Sequence, residues 1–260
     1  MTKNPGSGRR MKTVQTAFQL IETIQMADGI TLTELANAHG ASKSTVYNHL
    51  KTLEELGYVY NVDNEYFIGL GFLTLGKTAL DRLDLPDLVE PEAGDLATRI
   101  DGRVVVMVEQ GGLGFCAYQQ SADEAVMTNT VVGETIPLHC TALGKAYLSA
   151  LPERDREHIL ERLDLQKMTD RTITSVATLR EELDETAQRG YSINDEERIR
   201  GMRAIGAPIT TDRGTVLGSI SASLPITRMK GELFDETVPE LVTETANVIA
   251  VKQQYRGTDR

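Results

Sequence analysis

Residues 31–57 read TLTELANAHGASKSTVYNHLKTLEELG, two short helical segments separated by a tight turn. Thr31 followed by Glu34 is a capping box, so the first segment starts at Leu32, and His39-Gly40 ends it because Gly tolerates positive φ. Leu35 and Ala36 give that segment a small apolar face. Ser42 is placed to cap the second segment, where Val46, Leu50, Leu53 and Leu56 recur at helical spacing and are expected to point inward. The opposite face carries Lys43, Ser44, Thr45, Tyr47, Asn48 and Lys51, all hydrogen-bond donors and none acidic. A plain solvated hairpin of helices would look similar. The next residues separate the two readings: Tyr58-Val59-Tyr60 and Tyr66-Phe67-Ile68 flank the polar run Asn61 to Glu65, a β-hairpin directly behind the second helix. Helix, turn, helix and hairpin make a winged helix. Its donor face suits the base edges and phosphates of double-stranded operator DNA.

The chain of 260 residues is long enough for one large domain or two ordinary ones, and its 40% hydrophobic content supports a core although Trp is absent. No run approaches a membrane span, and Met1 to Arg10 lacks the apolar centre of a signal peptide. A cytoplasmic protein with no membrane partner is expected. Two cysteines, Cys116 and Cys140, are too few for a disulfide framework. The net charge of −11 is unusual for a nucleic-acid binder, but it is unevenly spread. Residues 1–60 hold six basic and five acidic side chains, a balance of +1, which leaves −12 on the rest. Arg outnumbers Lys, and an acidic, Lys-poor surface suits a salt-rich cytoplasm such as that of a halophilic archaeon.

Residues 1–10, with Pro5, Gly6 and Gly8, read as a disordered tail, and Arg9 and Arg10, with Lys12 just beyond it, are placed to lie along the DNA backbone. Residues 11–69 form the DNA-binding domain. Its first helix, Met11 to Ala27, is expected to pack Val14, Phe18, Ile21 and Met26 on the winged-helix core. Leu70 to Leu85 reads as a helix stopped by Pro86, so 70–86 is a linker. In it Leu73, Gly76, Leu80 and Leu83 form a heptad-like seam that would pair two subunits, giving a homodimer or homotetramer. Residues 87–257 alternate helices and strands. Helices are expected at Val89 to Arg99, Thr141 to Leu151, Arg154 to Leu163, Leu179 to Arg189 and Glu232 to Tyr255. Strands are expected at Val104 to Val108, Phe115 to Gln119, Met127 to Ile136, Tyr191 to Ile193, Ala204 to Ile209 and Val216 to Leu224. The fold class is therefore α+β, a winged helix-turn-helix followed by a linker helix and a mixed α/β domain.

Three stretches of this second domain are distinctive: Gly133-Glu134-Thr135-Ile136-Pro137-Leu138-His139-Cys140-Thr141-Ala142-Leu143-Gly144-Lys145-Ala146; Gly190 to Glu197 continuing through Gly201 to Ile209; and Gly218 to Pro225. With the winged helix before them, and in this order, they resemble the IclR-type transcription regulators. The resemblance implies a GAF-like C-terminal domain that binds a small metabolite, often a carboxylate or aromatic acid. It also implies dimers or tetramers that repress or activate from operator DNA. Carried onto this chain, the effector-lining positions are Ala142, Leu143, Asn194, Ala204, Ser221 and Ser223. Two of these depart from the pattern: Asn194 stands where some relatives have Asp, and Ala204 where many have Cys.

The residues themselves suggest a similar site. Thr141 can cap its helix and leave backbone N–H groups open beside Ala142, Leu143 and Gly144, an anion-binding terminus that needs no Lys. Ser219, Ser221 and Ser223 alternate along a strand and so face one side, a wall of hydroxyls for an oxygen-rich ligand. His139, Cys140 and Cys116 lack companions at metal-ligand spacing, so no metal and no cofactor is expected. His139 and Cys140 are adjacent on an extended segment and point apart, which argues against a Cys-His nucleophile. The reading is a non-enzymatic, effector-controlled transcription regulator in which ligand binding repositions the two recognition helices through the linker. The alternative is an enzyme built on the α/β domain, with the winged helix as a protein-interaction module.

Overall fold

The computed structural model describes residues 11–83, 86–122 and 130–258. The tail at 1–10, with Arg9 and Arg10, and the first part of the strand expected from Met127 lie outside the described residues. The chain divides between Ala79 and Leu80 into two compact units.

In the first unit α1 (Lys12–Gln25), α2 (Leu32–Ala38) and α3 (Lys43–Glu55) surround a core of Leu20, Ile24, Leu35, Val46, Leu50 and Leu53, closed by Val59 and Tyr66. Both caps form as expected. Thr31 and Glu34 make the reciprocal capping box, and Ser42 Oγ accepts from Thr45 N. Helix α1, however, turns a different stripe inward from the one expected: Leu20 and Ile24 are buried, Ile21 is partly so, and Val14, Phe18 and Met26 are exposed. Two apolar stripes coexist on this helix, and the core accepts only the one that meets α2 and α3. Leu56 is also exposed, because α3 ends at Glu55 and Gly57, at φ +79°, swings the chain away. The hairpin is tighter than expected. Strands β2 (Val59–Val62) and β3 (Glu65–Ile68) are joined by Asp63-Asn64 alone, both at positive φ, the two-residue turn whose twist matches the strands. A two-residue strand β1 (Ile30–Thr31), too short to register in the sequence, pairs with β3.

Helix α4 (Gly71–Asp81) stops short of the proline expected to end it. Pro86 instead opens α5 (Pro86–Ile100), since its fixed φ and missing N–H suit a first helical turn. Leu73 and Leu75 of α4 are exposed.

The second unit is a six-stranded sheet with every neighbouring pair antiparallel. Its strands in chain order are β4 (Arg103–Gln110), β5 (Leu113–Ser121), β6 (Thr135–Ile136), β7 (Ser192–Asp195), β8 (Met202–Thr210) and β9 (Val216–Pro225). In space the order is β6-β5-β4-β9-β8-β7. Of the strand expected at 127–136, only Thr135–Ile136 pairs among the described residues. One face carries α5 and the C-terminal α9 (Val238–Thr258), which a π-helical turn at Leu233–Thr237 precedes. The other face carries α6 (Ala142–Ala150), α7 (Glu153–Leu160) and α8 (Val176–Arg189). Period-two alternation sends Val104, Val106 and Val108 to the first core and Val105 and Met107 to the second. That explains the unbroken apolar run of β4: both of its faces are covered. Among the described residues no helix is long and apolar enough to cross a membrane.

Candidate functional site

The donor face of α3 stands clear of its own core. Lys43, Ser44, Thr45, Tyr47, Asn48 and Lys51 are all exposed, while Val46, Leu50 and Leu53 anchor the opposite side. Two of the six have internal commitments. The Thr45 hydroxyl shares a 2.8 Å hydrogen bond with Ser42, and Lys51 lies 3.8 Å from Glu54 in an exposed pair that is easily surrendered. Beside the helix, Tyr60 stacks on Phe67 at 5.3 Å and stiffens the hairpin.

In the second unit the six expected effector positions meet at one cavity of about 70 Å³: Ala142, Leu143, Asn194, Ala204, Ser221 and Ser223 all line it, as does Thr141. Local chemistry builds this. Thr141 Oγ1 accepts from Gly144 N at 3.0 Å and donates to the Pro137 carbonyl at 2.7 Å, which fixes the start of α6. Two glycines let that helix end come close. A Cβ on Gly144 would sit 2.2 Å from the Leu138 backbone, and one on Gly206 would sit 2.6 Å from the Ala142 carbonyl oxygen. Ser192 Oγ donates to the same Ala142 carbonyl. The sheet register then sets Ser221 between Val105 and Gly206, and Ser223 between Arg103 and Ala204.

One expectation needs correction, and another residue has a second task. Ser219 shares the face of Ser221 and Ser223 but does not line the cavity; its hydroxyl donates to the Leu143 carbonyl at 2.8 Å and ties α6 to the sheet. Asn194 lines the cavity yet is also a brace, donating through Nδ2 to the Cys140 carbonyl and accepting from Glu197 N.

Sequence reasoning missed the charged groups here. Arg198, Arg203 and Thr130 line the cavity, as do Ile199 and Met202. Arg203 is neutralised by Asp195 at 2.5 Å and lies over the Phe234 ring. Hydrogen bonds from Arg203 and Arg171 hold the Asp195 carboxyl below its ordinary range. Buried Lys145 pairs with Glu197 at 2.5 Å and Glu182 at 3.1 Å, and burial pushes Glu197 upward. That pair ties α6 to the loop 196–201. The Thr169 and Thr172 hydroxyls donate to the Glu197 carbonyl from the other side. The signal in the sequence was a basic residue, Arg198, ending the acidic run Asp195-Glu196-Glu197.

Neither cysteine is poised for chemistry: Cys116 and Cys140 are buried, and burial pushes both thiols up to about 11, so they stay protonated at neutral pH. His139 is buried and bonds the Gln166 carbonyl. A larger groove of about 720 Å³ runs along α7 past the 111–114 turn and includes His139. It holds none of the six expected effector positions.

Comparison with known proteins agrees with this architecture. Residues 13–63 match the IclR helix-turn-helix domain, and residues 77–251 match the bacterial transcriptional regulator IclR C-terminal domain. The chain is 35% identical to the "Probable HTH-type transcriptional regulator ArcR" of Halobacterium salinarum, over 96% of each protein. The crystal structure of the Thermotoga maritima IclR superposes with a TM-score of 0.79 at 26% identity, covering 94% of this chain and 99% of that one. An IclR homologue from Microbacterium hydrocarbonoxydans, complexed with 4-hydroxybenzoate, shares the fold with a TM-score of 0.78 at 19% identity over 94% and 99% of the two chains. A winged helix with an open donor face, followed by a sheet that gathers a capped helix, a serine strand and an acidic loop, is thus matched along nearly its whole length, and this chain belongs to the IclR family of transcription regulators.

Proposed function

We propose that the protein binds operator DNA through α3 and responds to a small organic acid held in the cavity at the start of α6. The observation that carries this reading is that the six positions the family resemblance implies line one small cavity that also holds the N-terminus of a capped helix and a guanidinium. Backbone N–H groups at such a terminus attract an anion, the Ser221 hydroxyl supplies a donor, and the Ser223 hydroxyl, which donates to the Arg103 carbonyl at 3.5 Å, can exchange that long bond for the ligand. The complex of the Microbacterium homologue with 4-hydroxybenzoate supports an organic acid as the ligand class. At about 70 Å³, against ~300–1,000 Å³ for drug-sized ligands, the cavity favours a smaller molecule.

On the DNA side, the reading rests on the exposed donors Lys43, Ser44, Thr45, Tyr47, Asn48 and Lys51. Residues 11–69 would then be the DNA-binding domain, 70–86 the linker and 87–257 the effector domain of a cytoplasmic homodimer or homotetramer. The seam Leu73, Gly76, Leu80 and Leu83 would pair subunits: Leu73 and Gly76 are exposed and Leu80 is half-buried, whereas Leu83 lies beyond α4 and packs on the second unit's core. The test uses two sets of variants on an operator found by genome-wide binding. Lys43→Ala and Asn48→Ala should each weaken operator binding by about 1–3 kcal/mol without altering the unfolding temperature. Ala142→Trp should bind the operator normally and lose the ligand response. Unchanged affinity in both α3 variants would remove that helix from the DNA. A normal ligand response in Ala142→Trp would move the effector elsewhere.

A further inference from the structure

The cavity contains one cation whose charge is poorly answered. Arg198 sits on the loop between β7 and β8, and its Nη2 is 3.9 Å from Glu134 Oε1. That distance is beyond hydrogen-bond range, so the pair is held by charge alone and the guanidinium keeps its donors uncommitted. The neighbouring charges are arranged differently. Arg203 is bonded to Asp195, and Arg103 donates to Gln119 and the Thr130 carbonyl. The backbone under Arg198 is firmly placed. Glu197 is gripped by Lys145, Thr169 and Thr172, and Gly201 N donates to Glu196 Oε2 at 2.8 Å. Only the side chain is left to change partner. Across the cavity Ser221, 95% buried, turns its hydroxyl into the same space.

Glu134 is connected to the structure behind it. Its Oε2 accepts from Val131 N at 3.0 Å, and its carbonyl accepts from Cys116 N at 2.9 Å on β5. We propose that Arg198 is the charge-reading residue of this cavity and Glu134 its resting counter-ion, so that an effector carboxylate binds by taking Arg198 from Glu134. Affinity is then the difference between two carboxylates competing for one guanidinium. A bidentate carboxylate bond replaces a long ion pair, and Glu134 repels any second negative charge on the ligand. The site thereby selects monocarboxylates over dicarboxylates and over neutral isosteres. This inference rests on the reading of the cavity as an organic-acid site.

The experiment is calorimetric titration of the full chain with acetate, propanoate, lactate and pyruvate, with malonate and propanamide as controls. The wild type should bind one or more of the monocarboxylates and neither control. With the best acid, Glu134→Gln should bind about tenfold more tightly, and Arg198→Gln about tenfold to a hundredfold more weakly. Arg198→Lys should lie between wild type and Arg198→Gln, which guards against a variant that merely misfolds. The double variant should behave as Arg198→Gln alone, because Glu134 has nothing left to compete for. Wild-type affinity in Arg198→Gln, or no tightening in Glu134→Gln, overturns the exchange while the cavity remains an acid site. Binding of propanamide in preference to the acids, or of none of the acids, overturns both readings together.

Discussion

Two helices begin in the same way and end up doing opposite things. Helix α3 is capped by Ser42 and α6 by Thr141, each hydroxyl accepting from the backbone N–H three residues on. In α3 the first turn is exposed and its side chains face outward. In α6 every residue from Ala142 to Leu148 is buried, and the first turn offers the cavity backbone N–H groups with two apolar side chains. Identical capping chemistry thus leaves one terminus with its side chains exposed and the other with its backbone N–H groups beside a cavity. What differs is the approach of neighbouring chain: Leu138, the Gly206 strand and Ser219 press on α6, whereas among the described residues of its own unit nothing covers the outer face of α3.

The comparison breaks most visibly at Gly144. Gly144→Ala places a methyl against the Leu138 backbone, which cannot yield as a flexible side chain would. Calorimetry should show the second unit destabilised by about 3 kcal/mol, with the first unit's transition unmoved. Equal stability would mean that α6 is free to shift away from the sheet.

The caps themselves sharpen the contrast. Thr141→Val leaves both Gly144 N–H and the Pro137 carbonyl without their buried partner and should cost about 2 kcal/mol or more. Ser42→Ala removes an exposed cap that water can replace, at a cost of about 1 kcal/mol. Thermal unfolding of the two variants should rank them in that order. The reverse ranking would contradict the difference in burial.

A smaller effect concerns acid. Arg203, with Arg171, holds the Asp195 carboxyl below its ordinary value of 3.8. A lowered folded value means that the unfolded chain takes up the proton first as pH falls. The stabilisation is therefore fully present above about pH 4 and lost on acidification through the folded value. Asp195→Asn should flatten that part of the acid unfolding curve and cost on the order of 1 kcal/mol or less at neutral pH, because the pair is partly solvated. An unchanged acid limb would show that other carboxylates govern it.

Much of this was legible in the residues. The capping box, the helix caps, the two-helix spacing and the hairpin need only near neighbours, so local chemistry determines them. The segments Gly133–Ala146 and Gly190–Ile209 announce the second domain by their pattern. Local rules failed where a segment offered two answers. Helix α1 carries two apolar stripes, and its own periodicity cannot tell which one the core will take. Pro86 is as good a first residue as a stop signal, and only the chain on either side decides between them. Ser219, Ser221 and Ser223 share one strand face, yet contact with α6 takes Ser219 out of the cavity.

The sequence by itself determined a winged helix with an unacidic donor face and a mixed α/β domain behind it, because these follow from spacings within a turn or a strand. The six positions that line the cavity came from the resemblance of the distinctive segments to the IclR family. The tertiary structure decided the charge of the cavity. Arg198 and Arg203 share one segment, but Glu134 lies scores of residues before them, and only the pairing of β6 with β5, β5 with β4, β4 with β9 and β9 with β8 brings the two segments together. Coulomb attraction depends on distance and burial, and neither can be read along the chain.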